Sequence, residues 1–171
     1  MKLQNLKDLY VDALKDIYNA ENQLTKALPK LAKAANAPEL KQAFETHLEQ
    51  TRHQIERLDE IFDQLGTGAK GKRCRGMEGI VEEGAEMIEA DGELSVIDAG
   101  LIAAAQKAEH YEIANYGCVR TWAEMLGESR AAKLLKETLD EESETDEKLT
   151  QLAERIVNPE AVHAADNPRS M

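Results

Sequence analysis

Apolar residues recur along this chain at helical spacing almost from end to end. One stripe runs Leu6, Tyr10, Leu14, Ile17, Leu24, Leu28 and Leu31. A second runs Leu40, Phe44, Leu48, Ile55, Leu58, Phe62 and Leu65. A third runs Ile97, Leu101, Ala105, Ala108, Tyr116, Val119, Ala123 and Leu126. A fourth runs Leu134, Leu135, Leu149, Leu152 and Ile156. Steps of three and four residues put each set on one face of a helix. Nowhere does the pattern alternate with the period of two that a strand requires.

Turn and cap residues place the boundaries. The first helix is expected from about Leu3 to Ala35, with a kink or break about one turn before Pro29. Pro38 and Glu39 suit the first turn of a second helix, which runs to about Leu65. Gly66, Gly68 and Gly71 spell a GxGxxG pattern, but they lie between helices and follow no strand. They therefore read as a linker, not a dinucleotide cradle. A shorter helix spans about Gly76 to Ala90. Ser95-Val96-Ile97-Asp98 resembles a capping box and opens a third long helix, which ends at Gly127. A fourth runs from about Ser129 to Val157 and is expected to stop at Asn158-Pro159.

Short loops join antiparallel neighbours, whereas a long connection lets the second and third long helices run parallel. The expected fold is all-α, a ferritin-like four-helix bundle with one long crossover carrying a short fifth helix. Its domain would span residues 1–157, followed by a C-terminal tail at 158–171.

Three glutamates interrupt the stripes. Glu21, Glu112 and Glu142 each stand near the middle of a long helix, where the phase calls for an apolar residue. A carboxylate facing a core costs several kcal/mol unless a proton, a partner or a metal compensates it. No Lys or Arg shares the inward stripes. Bundles of this topology build di-metal sites from a lone Glu on each of two helices and Glu-x-x-His on the other two. Glu21 and Glu112 would be the lone pair, and Glu142 would lead the fourth-helix motif with Thr145 in the His position. On the second helix, Thr51 and Gln54 stand where Glu and His would be. His47 is the inward histidine one turn earlier, and Glu109 sits at a stripe edge one turn before Glu112. The candidate metal ligands are therefore Glu21, His47, Gln54, Glu109, Glu112 and Glu142. Glu49, His53 and Glu56 are turned away, Asp146 flanks Glu142, and Tyr10, Tyr116 and Trp122 read as packing residues. The incomplete second helix predicts unequal positions, with Glu21, Glu109, Glu112 and Glu142 holding one metal and the half near Thr51 and Gln54 weak or empty.

Composition narrows the classes. A formal net charge of −12 repels phosphate backbones, so nucleic acid is not an expected partner. No apolar run approaches membrane-spanning length, and the charged N-terminus has no secretory signal, so a cytoplasmic protein is expected. Cys74 and Cys118 form no CxxC and read as reduced thiols.

Several strings carry a resemblance. Asp16-Ile17-Tyr18-Asn19-Ala20-Glu21-Asn22-Gln23-Leu24, His47-Leu48-Glu49-Gln50-Thr51 with Gln54-Ile55-Glu56-Arg57-Leu58, Leu101-Ile102-Ala103-Ala104-Ala105-Gln106-Lys107 with Glu109-His110-Tyr111-Glu112-Ile113-Ala114, and Ala132-Lys133-Leu134-Leu135-Lys136-Glu137-Thr138-Leu139 resemble the YciE/YciF family of bacterial stress proteins. The likeness runs over about residues 3–157. It implies a ferritin-like fold akin to rubrerythrin-type di-iron proteins, and a metal-site ancestry. It implies no reaction, since no activity is established for the family. Some members carry a histidine at the place of Arg52; here His53 stands beside it.

Two functions fit. The first is a stress protein with a carboxylate-rich iron or manganese site that consumes peroxide or oxidises ferrous iron. Oxygen-rich ligands suit those metals better than zinc or copper. The second is a metal-free helical scaffold or partner-binding module whose glutamates are held by protons. A homo-oligomer, most simply a dimer, is expected from symmetry base rates.

Overall fold

The computed structural model describes residues 3–164, which contain helices and no strand. Four long helices, α1 (Leu6–Ala34), α2 (Pro38–Leu65), α4 (Leu94–Met125) and α5 (Ser129–Leu152), form the bundle. The shorter α3 (Arg75–Glu89) lies in the α2–α4 connection and packs on α1 and α4. The fold is the expected all-α ferritin-like bundle with one crossover.

Polar contacts at the two ends show the helix directions. At one end, both Asp98 carboxylate oxygens, near the start of α4, accept backbone N–H bonds from Asn36 and Ala37 at the start of α2, at 2.8 and 2.7 Å. These two helices therefore run parallel. At the other end, Lys7 pairs with Glu128, so α1 and α5 also start together. Arg130 near the start of α5 meets Glu60 near the end of α2, which makes that pair antiparallel.

The core has two apolar halves. Leu24, Leu28, Leu40, Phe44, Met77 and Leu101 belong to one. Tyr10, Leu14, Ile17, Leu58, Ile61 and Tyr116 belong to the other. Between them lies a buried polar belt containing Glu21, His47, Thr51, Gln54, Glu109, Glu112 and Glu142.

Three local features differ from those expected. Helix α1 runs unbroken through Pro29, so of the expected kink or break there is no break. Pro29 is exposed, so the carbonyl it cannot pair faces the wet side, while Leu24, Leu28 and Leu31 stay packed. Ser95 is not a cap: α4 begins at Leu94, and its N-cap residue, Glu93, makes no side-chain cap bond. Asp98 instead serves the neighbouring helix. The stop at Asn158-Pro159 also fails. A π-helical turn at Ala153–Val157 leads directly into α6 (Asn158–Ala164), which packs against α4. Pro159 follows the π-helical turn directly, where the Asn158 N–H still reaches the Ala153 carbonyl. The supposed tail is thus helical as far as residue 164, and residues 165–171 lie outside the described residues.

Asp98→Ala should destabilise the protein by about 1–3 kcal/mol, because it leaves two backbone N–H groups without acceptors, that of Ala37 buried. Urea unfolding with an unchanged m-value would show this. An effect near zero would mean that water replaces the carboxylate.

Candidate metal centre

Each belt residue is inward because its helix puts it there. Glu21 follows Ile17 by four residues and precedes Leu24 by three; Glu112 and Glu142 occupy equivalent places on α4 and α5. Glu109 lies one turn before Glu112 and is equally buried. His47, Thr51 and Gln54 occupy successive turns of the inward face of α2. The two threonines are satisfied within their own helices. Thr51 donates to the His47 carbonyl at 2.9 Å and Thr145 to the Glu141 carbonyl at 3.0 Å.

The side chains converge. His47 Nε2 lies 3.1 Å from a Glu109 oxygen and 3.9 Å from a Glu142 oxygen. One donor atom from each of His47, Glu109, Glu112 and Glu142 can be chosen so that all four lie within 4.8 Å of one another. Glu21 stands beside this group and accepts a hydrogen bond from the Tyr116 hydroxyl. Gln54 donates its amide to Glu142, so it braces that carboxylate. Arg57 holds the adjacent Glu141 through two bonds of 2.7 and 2.6 Å, outside the cluster. Asp146 is also occupied outside, by Gln106 at 3.1 Å and His110 at 3.2 Å. Glu49, His53 and Glu56 are exposed.

Burial dominates the electrostatics. It raises Glu21 to about 8, helped by the Glu142 charge and opposed by the Tyr116 bond and His47. It likewise raises Glu109 to about 8. Glu112 is pushed well above the usual carboxylate range by burial and then by Glu21, Glu142 and Glu109. Glu142 moves the same way through burial, with His47 pulling it back. The carboxyls also face each other as pairs, Glu21 with Glu112 and Glu109 with Glu142. Without a cation, each pair would hold a shared proton.

Hydrogen bonding in the belt is incomplete. With the carboxylates ionised, both Glu112 oxygens, one oxygen each of Glu21, Glu109 and Glu142, and His47 Nδ1 are buried without a hydrogen-bond partner, and His47 Nε2, although 3.1 Å from Glu109, is not aligned for one. Such orphans are rare in folded proteins and each costs about 1–3 kcal/mol. A cation would satisfy several at once. Three carboxylates and one imidazole form a ligand set of hard oxygens with a single nitrogen, so the residues present fit a divalent metal ion.

From sequence Tyr116 reads as packing, yet its hydroxyl holds Glu21. Its position four residues after Glu112, on the same inward stripe, was the available signal.

The fold and the belt together define a class: helical bundles with a buried carboxylate-rich centre. Within that class, the chain belongs to the family described as Domain of unknown function (DUF892), whose model matches residues 5–162. It is 51% identical over 166 residues to Protein YciF of Escherichia coli strain K12, covering 96% of this chain and 100% of that protein. The crystal structure of the E. coli stress protein YciF superposes with a TM-score of 0.88 at 52% identity, covering 91% of this chain and 99% of the other. YcfI from Rhodopseudomonas palustris gives 0.84 at 42% identity, over 87% and 95%. A Xanthomonas campestris protein at 22% identity and a TM-score of 0.74, over 93% and 98%, shares the fold.

The raised carboxyls set a pH dependence for metal-free protein. The folded state keeps protons up to about pH 8 that an unfolded glutamate releases near 4.5. Their contribution is therefore fully present below about pH 4.5 and is lost as pH rises to about 8. The melting temperature of the metal-free protein should fall across that interval, and Glu21→Gln should flatten the fall. A variant with the unchanged slope would mean that Glu21 is ionised throughout.

Proposed function

We propose that this chain is a stress-response protein whose bundle core binds iron or manganese. The observation that carries the reading is the set of orphaned carboxylate oxygens around His47, buried between two apolar halves. The donor set favours these metals over zinc or copper. The description of the E. coli relative as a stress protein supports the biological setting. Bound iron or manganese would supply one-electron redox chemistry, toward peroxide or ferrous iron. This chain's own residues have simpler roles. His47, Glu109, Glu112 and Glu142 would hold the ion, Glu21 would complete the ring, and Gln54 and Tyr116 would orient Glu142 and Glu21. No residue is assigned as catalytic acid or base. A cytoplasmic homodimer is the corresponding working form. The net charge of −12 argues against a nucleic-acid partner, and no helix among the described residues is long and apolar enough to cross a membrane.

One observation favours a second reading. The glutamates are paired so that protons alone would neutralise them, as in a metal-free scaffold. Glu112→Leu separates the two. In a metal-bound protein the variant should lose bound iron or manganese and the part of thermal stability that the metal adds. In a metal-free one it should be neutral or stabilising, on the order of 1–4 kcal/mol. Elemental analysis of untagged protein purified without chelator supplies the companion measurement. Less than about 0.1 ion per chain after incubation with ferrous or manganous salt would end the metal reading.

A further inference from the structure

An apolar cavity leads from the surface to the belt. It opens between α1 and α3, beside the exposed Lys30 and Ala85. Its walls are Leu24, Leu28, Val81, Gly84, Ala105 and Ala108. It ends on His47 and Glu109, at the edge of the convergent cluster. Small residues make the space. Ala105 and Ala108 face it from α4, and Gly84 of α3 has only the Ala104 methyl, at 3.8 Å, near where its own Cβ would be.

We infer that this cavity is a binding site and entry route for a small, uncharged, apolar molecule of the dioxygen class, delivered to the His47–Glu109 side of the cluster. Two physical arguments carry it. The first is polarity. Between Lys30 at the mouth and His47 and Glu109 at the end, every lining side chain is hydrocarbon or absent. Hydrogen peroxide or a hydrated cation crossing it would leave hydrogen bonds unmade, at a cost of several kcal/mol, whereas a diatomic gas gives up none. The second is size. The space open to the centre of a water-sized body is about 50 Å³. That is well below the roughly 150 Å³ of an apolar cavity that takes benzene, so the space suits small molecules rather than a bulky substrate. Dry apolar cavities of this kind bind xenon and similar solutes. The end point is also informative: His47 Nδ1 has no hydrogen-bond partner, and Glu109 has one free oxygen.

The inference rests on the metal reading for its purpose but not for its test. Xenon is the probe, applied under pressure to the full-length, metal-free protein with labelled methyl groups. Saturable shifts should appear at Leu28, Val81, Ala105 and Ala108 and be absent from the other apolar half, around Leu14 and Ile61. Gly84→Leu, which fills the cavity from α3, should abolish them. Ala85→Leu, at the exposed rim, should slow xenon exchange at least several-fold without touching the packed interior. In iron-loaded protein, Gly84→Leu should lower the rate of ferrous oxidation by dioxygen at least tenfold and leave iron stoichiometry unchanged. Absence of saturable shifts in the wild type, or full retention of them in Gly84→Leu, overturns the cavity as a site. Xenon binding without any iron or manganese affinity would sink the metal reading and leave the cavity standing. Equal loss of oxidation by peroxide and by dioxygen in Gly84→Leu would overturn its selectivity for an apolar molecule.

Discussion

The cost of placing carboxylates in a dry core organises this molecule. Glu21, Glu109, Glu112 and Glu142 are all essentially shielded from solvent. Each would be expensive alone, and four together repel one another. The arrangement answers with concentration rather than dispersal. All four lie in one belt, with a single imidazole, so one set of compensating charges serves them all. Because they share a level, the apolar residues above and below remain continuous as two halves, each large enough to pack.

That level depends on register, which the packed apolar faces set and the contacts at the ends match. Asp98 ties the starts of α2 and α4 together, and Lys7–Glu128 ties those of α1 and α5. With the ends aligned, helices of similar length bring their midpoints together. The crossover has a second consequence. Because α2 and α4 run parallel, the connection must travel the length of the bundle, and α3 lies along α1 and α4 as it does so. The apolar cavity lies under α3. The entry route is thus a by-product of the topology that makes the centre, and small side chains on α3 and α4 keep it open.

Most of this architecture was legible in the sequence because helical phase is a local, repeated signal. The same phase picked out Glu21, Glu112 and Glu142 as misplaced, and set His47 and Glu109 near them. What escaped has a common cause: long-range partners. Ser95 with Asp98 looks like a local cap, but Asp98 binds a backbone in another helix. Asn158-Pro159 looks like a stop, yet a π-turn lets the chain re-enter a helix in the direction of α4. Tyr116 reads as an aromatic filler until Glu21 is placed opposite its hydroxyl. Ala105 and Ala108 fall on an apolar stripe like any core residues, and only the packed bundle shows the space that they and Gly84 leave open.

Charge counting sharpens what the belt requires. Four ionised carboxylates carry four negative charges, and His47 offers at most one positive charge against them. Gln54 and Tyr116 bring only neutral donors. Arg57 is committed to Glu141 outside the belt. About three positive charges must therefore come from outside the chain's own basic residues, as protons, as a divalent ion with protons, or as two divalent ions. These states exchange with one another, because a carboxylate must lose its proton to hold a metal. The chain thus specifies a quantity of positive charge and a place for it. Protons shared within the carboxyl pairs can fill that quantity, but a coordinated ion would also draw one His47 nitrogen and one oxygen each of Glu109, Glu112 and Glu142 to a common point, which pairwise protons do not.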